Sequence, residues 1–128
     1  MTIEIHPFIL GPIENNTYLI SDKSSGEAVL VDPAIPSKKI SRYLEKNHLA
    51  LIGIWITHAH FDHIGGVQWF REQYAPQAKA VMHREAIPLW KTGGGAGDFG
   101  FEFDPGNVPE KIISENDVLN IGSSKFII

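Results

Sequence analysis

The chain has 128 residues, 11 Lys and Arg against 15 Asp and Glu for a formal net charge of −4, 43% hydrophobic residues and no cysteine. This composition fits one small folded domain; it excludes disulfides and thiolate metal sites, and its longest basic run, Lys38-Lys39, is too short for a nucleic-acid backbone binder. The opening "MTIEIHPF" has no basic region leading into an apolar stretch, and no apolar run approaches ~18 residues. A soluble, cytoplasmic protein with neither nucleic acid nor membrane as partner is the expectation.

In chain order, "IEIHPFIL" (3–10) and "TYLISD" (17–22) are predicted strands joined by a turn over "GPIENN". "AVLVD" (28–32) is a nearly all-apolar strand of the kind buried on both faces. Ser37 is the candidate N-cap of a helix to about Asn47, with Ile40, Tyr43 and Leu44 on its buried side. "IGIWIT" (52–57) is the next buried strand, and a helix follows Gly65-Gly66 with Val67, Phe70 and Tyr74 on one face and Pro76 just past its end. "AKAVMH" predicts a strand and "REAIPLW" a short helix interrupted or restarted at Pro88. The segment 92–107 is predicted as a loop, either plain or a flap, with Asp98, Glu102 and Asp104 solvated. "NDVLNIGSSKFII" closes the chain as a hairpin turning near Gly122 and Ser123. Alternating strands and helices indicate an α/β layered fold. Trp55, Trp69, Phe70 and Trp90 are expected in its core.

The chemistry concentrates in "WITHAHFDHIGG" (55–66), where His58, His60, Asp62 and His63 follow a buried strand and precede a helix. Open α/β sheets place ligand sites at this position. If the chain stays extended beyond Thr57, the spacing of two projects His58, His60 and Asp62 to one side, and a bend adds His63. Imidazole and carboxylate suit zinc, and also iron or manganese. His6, His48 and His83 stand apart from this pattern and are expected to be solvated or satisfied locally.

The stretch matches in full the signature H-x-H-x-D-H of the metallo-β-lactamase superfamily. With "ENNTYLI", the strand ending in "VDP" and "ITHAHFDHIGG" in that order, the whole chain resembles the glyoxalase II (hydroxyacylglutathione hydrolase)-like branch. The resemblance implies an αββα sandwich of which residues 1–128 supply about the N-terminal half. It implies a dinuclear zinc centre with His58 and His60 at one ion and Asp62 and His63 at the other, iron or manganese being alternatives. A metal-bound hydroxide would attack an ester or thioester-type small-molecule substrate, with Asp62 as the catalytic proton acceptor. Asp32 would hold a ligand histidine by a hydrogen bond, or else is a turn residue before Pro33. Gly65 and Gly66 would either allow a close backbone approach to the ligand loop or simply start the helix.

Family members carry a later histidine in a "PGH" setting, a bridging aspartate and a final histidine, whereas no histidine follows His83 in this chain. Its last residues, "SSKFII", end in an apolar run suited to a sheet interior. The expectation is therefore an N-terminal portion of a longer hydrolase. The alternative is a catalytically incomplete metal-binding half-domain completed by a second chain or by self-association.

Overall fold

The computed structural model describes residues 3–11 and 14–128. Its frame is a six-stranded sheet in the order β1 (Ile3–Leu10), β2 (Asn15–Asp22), β3 (Glu27–Val31), β4 (Ala50–Ile56), β5 (Lys79–His83) and β6 (Lys111–Ile113). The first three strands form an antiparallel meander, and β3 through β6 run parallel. The central strands are nearly all apolar because both their faces are covered. Ala28, Leu30, Ile54, Ile56, Ala80 and Met82 pack into the main core under the helices, while Trp55 and Val81 point to the other face. A register shift between Ala28 and Val29 lets Leu51 and Ile54, three residues apart, serve the same core.

The helix α1 spans Lys38–Lys46, buries Ile40 and Leu44, and carries Tyr43 against the core edge. Ser37 occupies the N-cap position in extended conformation, but its side chain makes no capping bond. The helix predicted after Gly65-Gly66 is not uniformly α. A short α3 (Val67–Trp69) passes into a π-turn over Phe70–Tyr74, closed by the Ala75 amide donating to the Phe70 carbonyl at 2.7 Å. The wider turn stacks Trp69 on Tyr74, five residues on, with ring centroids 6.3 Å apart and planes within 5°. Pro76 disfavours helical backbone at Ala75, which leaves the helix at φ −133°, ψ 73°.

Arg84–Ala86 form a single 3₁₀ turn before α4 (Ile87–Lys91), which holds Pro88 in its first turn. β7 (Val118–Ile121) and β8 (Ser124–Ile127) pair across a two-residue turn at Gly122 and Ser123, as the sequence predicts. This hairpin lies on the sheet face opposite the helices, where Leu119 and Phe126 cover Trp55, Val81 and Ile113. Phe70 and Trp90 are buried in the main core, whereas Trp55 is half-buried in that smaller cluster and Trp69 half-buried at the core rim. Trp55 thus follows the face of its strand, which composition does not reveal. Among the described residues no helix is long and apolar enough to cross a membrane.

Two connections converge at the carboxyl ends of β3 and β4. An added Cβ at Gly65 would lie 2.2 Å from the Ala34 carbonyl oxygen, and one at Gly66 would lie 2.5 Å from that of Ile35. The Gly66 amide donates to the Pro33 carbonyl at 2.7 Å. These glycines serve a close backbone approach, because any side chain would drive the two loops apart. Gly66→Ala should therefore lower stability by about 1–3 kcal/mol in urea unfolding. Gly97→Ala, where nothing lies within 4 Å of the added methyl, should change it by no more than about 0.5 kcal/mol.

Candidate metal centre

The residue that ends β3 organises the site. Asp32 has left-handed backbone (φ 52°) and its side chain is buried. Aspartate tolerates this conformation better than β-branched or bulky residues do. Its amide donates to the Trp55 carbonyl at 3.1 Å, and its carbonyl accepts from Thr17 Oγ1 at 2.8 Å. Its carboxylate accepts from the Thr57 amide at 2.7 Å through Oδ1 and from the Thr57 hydroxyl through Oδ2. Asp32 Oδ2 also lies 3.2 Å from His63 Nδ1.

From Thr57 the chain stays extended only as far as His60. His58 and His60 project together while the intervening Ala59 is fully buried, the alternation a strand dictates. It then turns into α2 (Phe61–Ile64), with the His63 amide donating to the His60 carbonyl at 2.8 Å. Asp62 is therefore delivered by a helical turn, not by the continued extension the spacing predicted. The same turn brings His63 round to Asp32.

All five predicted residues meet in this corner. The rings of His58 and His63 have centroids 4.1 Å apart, and those of His58 and His60 are 6.0 Å apart. His60 Nδ1 is 3.2 Å from Asp62 Oδ1, and His63 Nε2 is 3.9 Å from the same oxygen. Donor atoms of Asp32, His58 and His63 lie within 4.8 Å of one another. An ionised carboxylate only accepts, so the contact with Asp32 assigns the hydrogen of His63 to Nδ1 and leaves an Nε2 lone pair. Thr57 Oγ1, which spends its hydrogen on Asp32, can accept from His58 Nδ1 at 3.3 Å, and the same logic leaves His58 Nε2 unprotonated. Burial pushes the Asp62 carboxyl upward, but the Asn15 side chain, His63 when it is protonated, and the contact with His60 outweigh it and hold the group below the usual carboxylate range. The corner thus presents imidazole lone pairs beside a carboxylate that stays anionic, a donor set suited to a divalent cation.

Sequence reasoning missed the supports. Asn15 Nδ2 donates to the Asp62 carbonyl at 2.6 Å, and Thr17 Oγ1 accepts from the Ala34 amide at 3.3 Å while donating to Asp32. Both lie in the "ENNTYLI" stretch, so the only signal was its place in the order of motifs. Gly94 is a further support: at φ 67°, it sits where a Cβ would be 2.5 Å from the Phe61 amide nitrogen. The first half of the segment predicted as a loop is accordingly a run of 3₁₀ turns, Gly93–Phe99, broken by left-handed glycines and packed on the histidine loop, while residues 100–107 are irregular as predicted. Asp98, Glu102 and Asp104 are exposed, as predicted. The other three histidines have local roles. His6 stacks on Tyr43 at 4.6 Å, His83 Nδ1 accepts from the Glu85 amide at 3.1 Å, and His48 lies at the turn after α1.

Comparison with known proteins places this geometry. Hydroxyacylglutathione hydrolase 1 of Vibrio vulnificus is 35% identical over 114 residues, a match that covers 89% of this chain and 37% of that protein. The crystal structure of the B3 metallo-beta-lactamase BLEG-1 superposes with a TM-score of 0.80 at 25% identity, over 97% of this chain and 59% of that one. TTHA1623, solved in a di-iron-bound form, gives a TM-score of 0.73 at 28% identity, over 89% and 56%. The chain thus spans between about a third and six tenths of the length of these proteins. Residues 10–126 match the profile of the metallo-beta-lactamase superfamily, and the chain belongs to that family.

Proposed function

We propose that the protein is a metal-dependent hydrolase of the glyoxalase II-like branch acting on an ester or thioester, with residues 1–128 as the N-terminal part of one metallo-β-lactamase-like domain. The observation that carries this reading is the convergence of His58, His60, Asp62 and His63 around the buried Asp32 carboxylate at the ends of two parallel strands. The likeness to a hydroxyacylglutathione hydrolase supports the substrate class, and that to a di-iron protein keeps iron beside zinc and manganese.

In this reading His58 and His60 would hold one ion and Asp62 and His63 a second. Ions held there would supply a more acidic water and a Lewis acid for the carbonyl oxygen. Asp62, kept anionic, accepts the proton of the attacking water. Asp32 acts through His63: three donors already occupy its carboxylate, so it orients the imidazole and is not itself a ligand. The remaining ligands come from outside these residues, either from further chain or from a second chain. The relatives' greater length favours further chain. Under the second arrangement, residues 1–128 alone form a metal-binding half-domain without turnover.

In the full-length protein, His58→Ala should strip most of the bound metal, counted by elemental analysis, and abolish hydrolysis of a hydroxyacyl thioester. Wild-type metal content and turnover in this variant would refute the assignment. Asp32→Asn places a donor amide against Thr57 or His63, and should weaken metal binding about 10- to 100-fold in chelator competition. Unchanged affinity would show that Asp32 is only a turn residue.

A further inference from the structure

Beside His60 and Asp62 the surface opens into a cavity of about 610 Å³. Its far wall is aromatic: Phe61 meets Phe99 at 5.6 Å and Phe101 at 6.0 Å between ring centroids, and Phe103 and Ile35 add to the apolar lining. Phe99 and Phe101 are 63% and 61% exposed, so the rings turn apolar surface to solvent at the mouth of the metal corner.

This placement is built into the chain. Gly94 clamps the 3₁₀ segment onto the histidine loop. Beyond it the Gly100 amide donates to Gly97 and the Phe101 amide to Ala96, each at 3.1 Å. Gly100, left-handed at φ 79°, reverses the chain between the two rings. At the far end of the segment Trp90 Nε1 donates to the Gly106 carbonyl at 3.1 Å, and Arg71 donates to that of Asn107. Held at both ends, the segment presents a fixed wall. With Asp62 assigned to an ion, Glu102 is the charged side chain left on the aromatic side of the cavity, and it disfavours an anionic group at that end.

We propose that this cavity is the acyl subsite, and that it selects substrates with an uncharged aromatic or bulky aliphatic acyl group next to the scissile bond. The inference rests on the hydrolase reading for its reaction. Water oxygen adds to the acyl carbon, the carbon–sulfur or carbon–oxygen bond breaks, and the leaving thiolate or alkoxide takes up the proton. The occupant is an acyl group, not a protein segment, because the cavity runs directly into the His60–Asp62 pair.

The test uses the full-length, metal-loaded protein with phenylacetyl and acetyl thioesters of one neutral thiol, together with saturation-transfer NMR on phenylacetamide. We expect kcat/KM for phenylacetyl to exceed that for acetyl by about 10- to 200-fold. The ratio should fall at least about tenfold in Phe99→Ala/Phe101→Ala, with folding checked by far-UV circular dichroism, and saturation transfer to phenylacetamide should be lost. Turnover of both esters with a ratio near one overturns the subsite and leaves the hydrolase reading intact. If neither ester turns over, the hydrolase reading fails and the amide decides the cavity: transfer in wild type and none in the variant supports an aryl-binding site. No transfer in wild type overturns it.

Discussion

The Asp32 carboxylate is the constraint on which the site depends. It is buried, so its charge must be satisfied by donors, and those donors come from the strand beside it and the loop beyond that strand. Thr57 uses both amide and hydroxyl, and His63 its Nδ1. The Asp32 amide donating to the Trp55 carbonyl and the Thr17 hydroxyl donating to the Asp32 carbonyl tie β2, β3 and β4 into one block. The left-handed turn costs on the order of 1 kcal/mol, an amount that one charge-assisted hydrogen bond offsets. Because the turn aims the carboxylate at Thr57 and His63, imidazole orientation follows from strand pairing and not from chance rotamers. Glycines 65 and 66 make this possible, since only bare backbone lets the ligand loop descend onto Ala34 and Ile35.

Around that block the environment divides in two. On one side lie the hydrogen-bonded imidazoles and the anionic Asp62; on the other lies the aromatic wall of Phe61, Phe99 and Phe101. Gly94 is the joint between them, touching the Phe61 amide. Polar atoms able to hold a cation and apolar rings beside them are the mixture expected of a small-molecule site. On the opposite sheet face β7 and β8 cover Trp55 and Val81, while Ile5 and Ile9 of β1 stay exposed.

Much of this was legible in the residues. The apolar runs of β3 and β4, the face of α1 and the terminal hairpin follow from period and turn chemistry, and the cluster from His58 to His63 announces itself by spacing. The handover from extended chain to helix at Phe61 was not legible, because two periodicities meet within six residues and the hydrogen bond from His63 to His60 decides between them. Nor was the π-turn, which the stacking of Trp69 on Tyr74 and the exit at Pro76 impose. The glycine-rich segment misled for a different reason: glycine marks both mobile loops and tight contacts, and only the proximity of Phe61 and Ala59 to Gly94 tells them apart. Asn15 and Thr17 act through residues far along the chain, a relation that strand pairing alone creates.

We propose that Asp32 orients His63 and does not itself bind the metal. Anomalous diffraction from metal-loaded crystals of the full-length protein tests it most directly. The expected map has one ion within about 2.0–2.1 Å of a His63 nitrogen, with Asp32 Oδ2 retained at hydrogen-bond distance from the opposite ring nitrogen and in contact with Thr57. An ion bound directly by an Asp32 oxygen, with His63 turned away from that carboxylate, would contradict the account.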